Sequence, residues 1–288
     1  MKVESKTGRR IAIVTDSTAD IPQNLVEQYR ISVIPQILIM GDKTWRDGVD
    51  IDPPTFYELL RTSPHFPASS QPSAASFEEL FTQLAGEAEG IAAILISNEL
   101  SGTLNSAHMA ASNLPDVPIE IVDSRSVSMQ LGFIVLAAAR AAAAGADLAS
   151  VAEAARALIG RAGVYFTVDT LEYLHRGGRI GAAAKLFGTA LNLKPVLNIR
   201  DGIVSPVTKV RTRRKALDTV LQRLEEELAG SDRVHLAVLH VAAPDDAASF
   251  AARLEAQFRP VEMMCYECGP VIGTHAGPGT VGAAYYVE

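Results

Sequence analysis

Apolar residues along the first half of this chain fall alternately in short blocks and at helical intervals. Arg10 to Val14 is a compact run with β-branched members, followed at once by Thr15-Asp16-Ser17-Thr18. Ile31 to Met40, Ile91 to Ile96 and Ile119 to Val122 are further apolar runs of the same kind. Runs this short, bounded by polar clusters, predict buried strands. Between them, Phe77, Leu80, Phe81 and Leu84 recur at helical spacing. Ser76-Phe77-Glu78-Glu79 reads as the capping box of that helix, the serine accepting from the third helical N–H while Glu79 reaches back. Leu104 to Ala111 predicts a small-residue helix, Leu131 to Ala146 a long alanine-rich one, and Asp147 to Ile159 another. This βαβα order predicts an α/β fold, a three-layer α/β/α domain on a mostly parallel sheet.

Past Gly160 to Gly163 the pattern changes. Val196 to Ile199 and Ile203 to Val207 flank Arg200-Asp201-Gly202, a hairpin signal with Asp-Gly in the turn. Leu217, Val220, Leu221, Leu224 and Leu228 share one helical face, and Pro244 opens a helix carrying Phe250, Leu254 and Phe258. Val234 to Val241, Val261 to Tyr266 and Ala283 to Val287 predict strands. Hairpins mixed with helices predict an α+β domain with a mixed or antiparallel sheet. The expected division is an N-terminal domain over 1–162 and a C-terminal domain over 163–288, closely packed because no low-complexity linker separates them.

Composition narrows the function classes. The chain has 288 residues, 48% hydrophobic and 20% charged, enough for two cores, and a net charge of −7. An acidic balance argues against nucleic acid, whose phosphates need a clustered basic surface. Met1 to Arg10 is polar and basic with no apolar run behind it, so no secretory signal is expected. Leu131 to Ala146 contains Arg140 and falls short of the ~20 apolar residues that span a bilayer. Cys265 and Cys268 form one Cys-x-x-Cys without a second pair to complete a zinc site, and they lie in a predicted strand. They read as structural thiols in a reducing cytoplasm, with no metal and no cofactor.

Three predicted strands of the first half end in hydroxyls and acids, where parallel sheets place their ligands. Ser101-Gly102-Thr103 suits an anion, since the glycine admits close backbone approach and hydroxyls and amides converge at a helix start. The alternative is that Ser101 or Thr103 merely caps the helix. Ser69-Ser70-Gln71-Pro72-Ser73 reads by itself as a loop. His175-Arg176-Gly177-Gly178-Arg179-Ile180 is either an anion site or a helix C-terminus with dipole-favoured cations. Gly273-Thr274-His275-Ala276-Gly277-Pro278-Gly279-Thr280 places a histidine in a glycine-rich loop, where it is more a functional than a core residue. Lys209 to Lys215 is a basic run, either a solvated face or a docking surface for an acidic partner.

Read together, these clusters resemble the DegV family of bacterial fatty-acid-binding proteins. The matching stretches are Ile13 to Asp20, Asp47 to Ile51, Ser69 to Ser73, Leu100 to Thr103, Gly177 to Ile180 and Gly273 to Gly279, in the family's order. The resemblance implies a long-chain fatty acid in an apolar tunnel, its carboxylate near the seam between two domains. In that pattern Ser101 and Ser69 bond the carboxylate, Gly102 N–H adds to the contact beside Thr103, and Arg179 and His275 complete the polar network. Ser69 stands where threonine is usual and Ala68 where lysine is frequent, which keeps the hydroxyl and alters the packing. The resemblance further implies a fatty acid kinase as partner, at most transient contact with a membrane surface, and no catalytic residue of the chain's own. Tunnel linings are expected from Ile31 to Met40 and Leu186 to Leu197. A competing reading is a serine hydrolase or acyltransferase with Ser101 as nucleophile, His275 as base and Asp16 orienting it. Leu100-Ser101-Gly102 lacks the Gly-x-Ser-x-Gly elbow that reading calls for.

Overall fold

The computed structural model describes residues 10–188 and 193–288. The expectation for Met1 to Arg10 falls, except for Arg10, outside the described residues, as do positions 189–192 of the apolar segment Leu186 to Leu197. The chain opens with β1 (Ile11–Asp16), a 3-10 turn, α1 (Gln23–Tyr29) and β2 (Ser32–Ile34). Next come β3 (Ile37–Met40), β4 (Lys43–Arg46), α2 (Pro53–Thr62), β5 (Ala68–Ser70) and α3 (Ala74–Ala85). β6 (Gly90–Leu95), α4 (Thr103–Ser112), β7 (Ile119–Asp123), α5 (Ser128–Ala143) and α6 (Leu148–Leu158) complete the first half.

β2, β1, β6 and β7 form a four-stranded sheet in that order, every neighbouring pair parallel. Alternation along each strand divides the side chains between two layers. Ala12, Val14, Ile91, Ala93 and Leu95 pack with Phe77 and Phe81 of α3 and Leu104 of α4. Ile11, Ile13, Ala92 and Ile94 face the opposite layer, that of α5 and α6. These helices on both faces are those the βαβα pattern predicts. Leu131, Phe133, Ile134, Val135, Leu136 and Ala138 of α5 are all fully buried, the signature of a helix enclosed on every side. The same apolar cluster continues into Val164, Phe166 and Tyr286, so α5 is packed between two sheets.

The second sheet is built from β8 (Gly163–Thr167), β9 (Lys194–Arg200), β10 (Ile203–Val210), β11 (Val234–His240), β12 (Glu262–Glu267) and β13 (Val281–Val287). Between those strands run α7 (Glu172–Arg176), α8 (Arg213–Glu227), α9 (Pro244–Phe258) and α10 (Pro270–Ala276). The order is β10-β9-β8-β13-β11-β12, antiparallel throughout except for the parallel β11–β12 pair. Asp201 and Gly202 both take positive φ, 53° and 83°, as the two-residue hairpin between β9 and β10 requires.

Two local expectations are corrected. The run Ile31 to Met40 is two strands in two sheets, because Pro35 cannot donate to a ladder and turns the chain between them. β3 leaves the parallel sheet and forms an antiparallel trio with β4 and β5. The cap of α3 is Ser73, whose Oγ accepts from the Ser76 N–H at 3.1 Å, so the helix starts before the predicted box and Ser76 lies within it.

Candidate functional site

The carboxyl ends of β1 and β6 point into a cavity that the second sheet closes from the other side. Ile96, Leu100, Val127 and Thr18 line it from the first half. Val164 and Phe166 of β8, Ile199 of β9, Val204 of β10 and Leu239 of β11 supply an apolar wall from the second. Polar side chains gather at one place: Ser69 and Gln71 from the end of β5, Ser101 from the loop before α4, Arg179 after α7, and His275 on α10. The expected linings were misplaced. Among the described residues Ile31 to Met40 contributes Gln36, and Leu186 to Leu197 contributes none. Leu38 and Leu197 are instead fully buried in the core.

Ser101 is not a helix cap. Gly102 occupies that position in α4 without a side-chain hydrogen bond, and the Ser101 Oγ lies 2.8 Å from the Thr103 Oγ1. The Thr103 N–H points at the same Oγ from 3.4 Å, too long to hold the helix end. Thr103 is fully buried and stands behind Ser101, while Gly102 lets the Gln71 amide approach, since a Cβ there would meet its Nε2 at 3.1 Å.

Ser69 is carried by β5, which pairs with β3 through Leu38. Its Oγ lies 2.7 Å from Nε2 of His275. His275 is on a helix and not in a loop: Pro270 sits in the first turn of α10, the N-terminal position a proline suits. Gly273 stays inside that helix because the Tyr57 ring occupies the place of a Cβ, which would approach its Cε1 to 2.3 Å. Burial, with a smaller contribution from the positive charge of Arg179, lowers the His275 pKa to about 4, so the ring is neutral at neutral pH. Its Nδ1 is buried without a partner and packs against Gly177, where a Cβ would sit 2.2 Å away. Arg179 is held by two carbonyls, Nε donating to Leu100 at 3.1 Å and Nη1 to Gly177 at 2.8 Å. Gly178 then takes φ of 71°, so the paired glycines end α7 and also aim Arg179 at the cavity.

Groups from the first half anchor the N-terminus of α10. The Asp20 carboxylate accepts from the Gly269 N–H at 2.9 Å and from the Ser128 hydroxyl at 2.8 Å. The Tyr57 hydroxyl donates to the Cys268 carbonyl at 2.6 Å. Burial raises Asp20 to about 7 and Asp47 to about 6, with each carboxyl's charged neighbours adding a smaller push. Neither carries a sequence-predicted role. Cys268 is buried beside Asp20, and Cys265 is exposed; both are free.

The nucleophile arrangement is not assembled. His275 bonds Ser69, and Asp16 bonds Thr18, Gln36 and the Ile96 N–H, so neither is bound to Ser101 or to the other. The basic run stands apart from the cavity: Thr212 caps α8, and Arg213 pairs with Asp246 at 2.9 Å. Gln36 and Gln71 reach the site without a sequence-predicted role. A lone glutamine inside the apolar run Ile31 to Met40 was the available signal for Gln36.

A parallel sheet and a mixed sheet facing one another across a cavity with an apolar wall and a group of polar side chains have the form of a small-molecule site. The chain belongs to the DegV family, described as "Uncharacterised protein, DegV family", which it matches over residues 10–288. A DegV domain-containing protein of Streptomyces coelicolor is 40% identical over 276 residues, 95% of this chain and 97% of that one. Protein DegV of Bacillus subtilis is 33% identical over 279 residues, 96% of this chain and 98% of its own. Among solved structures, a DegV family protein from Thermus thermophilus described by its fatty acid binding superposes with a TM-score of 0.92 at 35% identity. That match covers 97% of this chain and 100% of the other. DegV from Bacillus subtilis, described as a fatty acid binding protein, gives 0.91 at 31% identity over 97% and 100% of the two chains. Among the described residues no helix is long and apolar enough to cross a membrane, and no group of three or more His, Cys, Asp or Glu could hold a metal ion.

Proposed function

We propose that this chain binds a long-chain fatty acid in the cavity, with the carboxylate at Ser101 and Ser69, and presents it to a fatty acid kinase for conversion to the acyl phosphate. The observation that carries the reading is the joining, in one cavity, of an apolar wall with two serine hydroxyls, Arg179 and His275. Relatives covering nearly the whole chain are described as fatty-acid-binding proteins, which supports the same ligand class. The ligand would lie at the seam between an N-terminal domain over 1–162 and a C-terminal domain over 163–288. The protein acts as a carrier rather than an enzyme, and its contact with a membrane surface is transient.

Magnitudes divide the work. Each buried methylene is worth about 0.8 kcal/mol, so a dozen contribute roughly 10 kcal/mol before the costs of association. A carboxylate at a helix N-terminus gains only about 0.3–1 kcal/mol from the dipole. The tail therefore supplies affinity, while Ser101 and Ser69, with the Gly102 N–H and Thr103 beside Ser101, fix the head group. Arg179 adds positive charge beside it. The neutral His275 orients Ser69.

Acid-loaded protein mixed with a purified bacterial fatty acid kinase and its nucleotide tests the kinase partnership. Acyl phosphate should form in proportion to the loaded chain. Absence of product, with the acid demonstrably bound, would remove the kinase role and leave the carrier reading standing.

A further inference from the structure

Gln36 joins the site to the buried acid at the end of β1. Its main chain is pinned on both sides: its N–H donates to the Ser17 Oγ at 3.1 Å, and its carbonyl accepts from the Asp47 N–H at 2.9 Å. The side chain is almost wholly buried, with Nε2 3.1 Å from the Asp16 Oδ1 and 2.9 Å from the Thr103 Oγ1. Asp16 is ringed by donors: the Thr18 N–H and hydroxyl on Oδ1, and the Ile96 N–H at 2.8 Å on Oδ2. A carboxylate in that position turns the amide nitrogen, not its oxygen, towards itself.

The consequence is a direction of hydrogen bonding. One amide proton goes to Asp16 and the other to Thr103. Thr103 must then place its own proton, and the Ser101 Oγ is 2.8 Å away. The Thr103 N–H points at the same oxygen. Receiving the Thr103 proton from behind, the Ser101 hydroxyl turns its own proton to the cavity. Ser69 matches it. The Nδ1 of His275 has no partner and lies near the positive charge of Arg179, which favours a lone pair there and puts the proton on Nε2. Nε2–H then donates to Ser69, whose own proton faces the cavity.

We propose that Gln36 is a positioning residue that fixes Ser101 as a donor, so that the head-group pocket accepts a carboxylate and discriminates against a fatty alcohol of the same length. The inference rests on the fatty-acid reading above. A carboxylate accepts from both serines at once. An alcohol presents one uncharged oxygen to both serine protons and gains nothing from the positive charge of Arg179. With leucine at position 36, Thr103 is released to accept from Ser101, and Ser101 becomes free to accept from a ligand hydroxyl.

The test measures dissociation constants of delipidated protein for palmitic acid and for hexadecanol. Unsubstituted protein should prefer the acid by about tenfold or more, and Gln36→Leu should narrow that ratio about tenfold, chiefly by weakening the acid. Thr103→Val cuts the same relay while leaving Gln36 on Asp16, and it should narrow the ratio likewise even if the leucine variant does not fold. Equal weakening of both ligands in a folded variant, with the ratio unchanged, overturns the positioning role and leaves fatty-acid binding intact. Failure of the unsubstituted protein to bind either ligand overturns both readings.

Discussion

The Ser69 hydroxyl lies 2.7 Å from Nε2 of His275, although 206 residues separate them in the chain. The contact ties an edge strand of the first half to the last helix, directly over the cavity. Several strong constraints meet at that pair: the pairing of β5 with β3, the anchoring of α10 by Asp20 and Tyr57, and the close fit of His275 against Gly177.

Gly177→Ala separates placement of His275 from folding. The glycine has an ordinary helical φ of −73°, so alanine brings no backbone strain, but its Cβ would overlap the His275 Nδ1. The ring must shift, which disturbs its contact with Ser69. Overpacking of this kind costs about 1–3 kcal/mol, and fatty-acid affinity should drop while the protein stays folded. Titration calorimetry beside a thermal melt checks both halves. Unchanged affinity would mean that His275 does not orient Ser69.

Ser101→Ala should weaken head-group fixation more than tail retention. A hydrogen bond to a charged group contributes about 1.5–3 kcal/mol, well below the apolar contribution of the tail. Acid should still co-purify with the variant, while acyl-phosphate formation with the kinase falls more steeply than affinity. Equal losses in both would contradict the division between tail and head.

Strands of the second sheet supply much of the cavity's apolar wall. Ile199→Trp or Leu239→Trp fills the apolar wall without touching Ser69, Ser101 or His275. Mass spectrometry of the bound acids should show a shift to shorter chains. An unchanged chain-length distribution would place the tail elsewhere.

Asp20 and Asp47 give stability a defined pH sign. Both folded-state values, about 7 and about 6, lie above the ordinary carboxyl value of 3.8. Their contribution is therefore complete below pH 4 and is lost as pH rises through about 6 to 7. His275 acts in the opposite sense: its lowered value costs stability as pH falls from 6.5 towards 4. Two carboxyls outweigh one imidazole, so melting temperature should decline from pH 5 to pH 7, and Asp20→Asn should flatten the decline. A variant whose slope matches the original would show that Asp20 releases its proton equally in both states.

Much of the architecture was written in periodicity. The blocks at Ile11 and Ile91 gave the central parallel strands, and Asp201-Gly202 gave the hairpin, because local turn chemistry and burial pattern both act over a few residues. The third sheet was not legible. β5 is Ala-Ser-Ser, with no apolar alternation, and main-chain pairing to β3 makes it a strand. The glycine content around His275 predicts a loop and masks the helix-start signal of Pro270. The compensation for those glycines is the Tyr57 and Tyr173 rings, which come from distant sequence. Ser69, Ser101, Arg179 and His275 were named from motifs, and all four line one cavity. Among the described residues its apolar wall comes from segments other than those the sequence predicts, since an inward-facing strand residue has the same periodicity whether it meets a ligand or the core.

Fatty-acid binding is tested most directly by solvent extraction of the purified protein followed by mass spectrometry, with added acids titrated into the extracted protein. The expected result is a long-chain fatty acid recovered near one per chain and rebound after removal. No recovered acid, together with no binding of added acids across chain lengths, would contradict it.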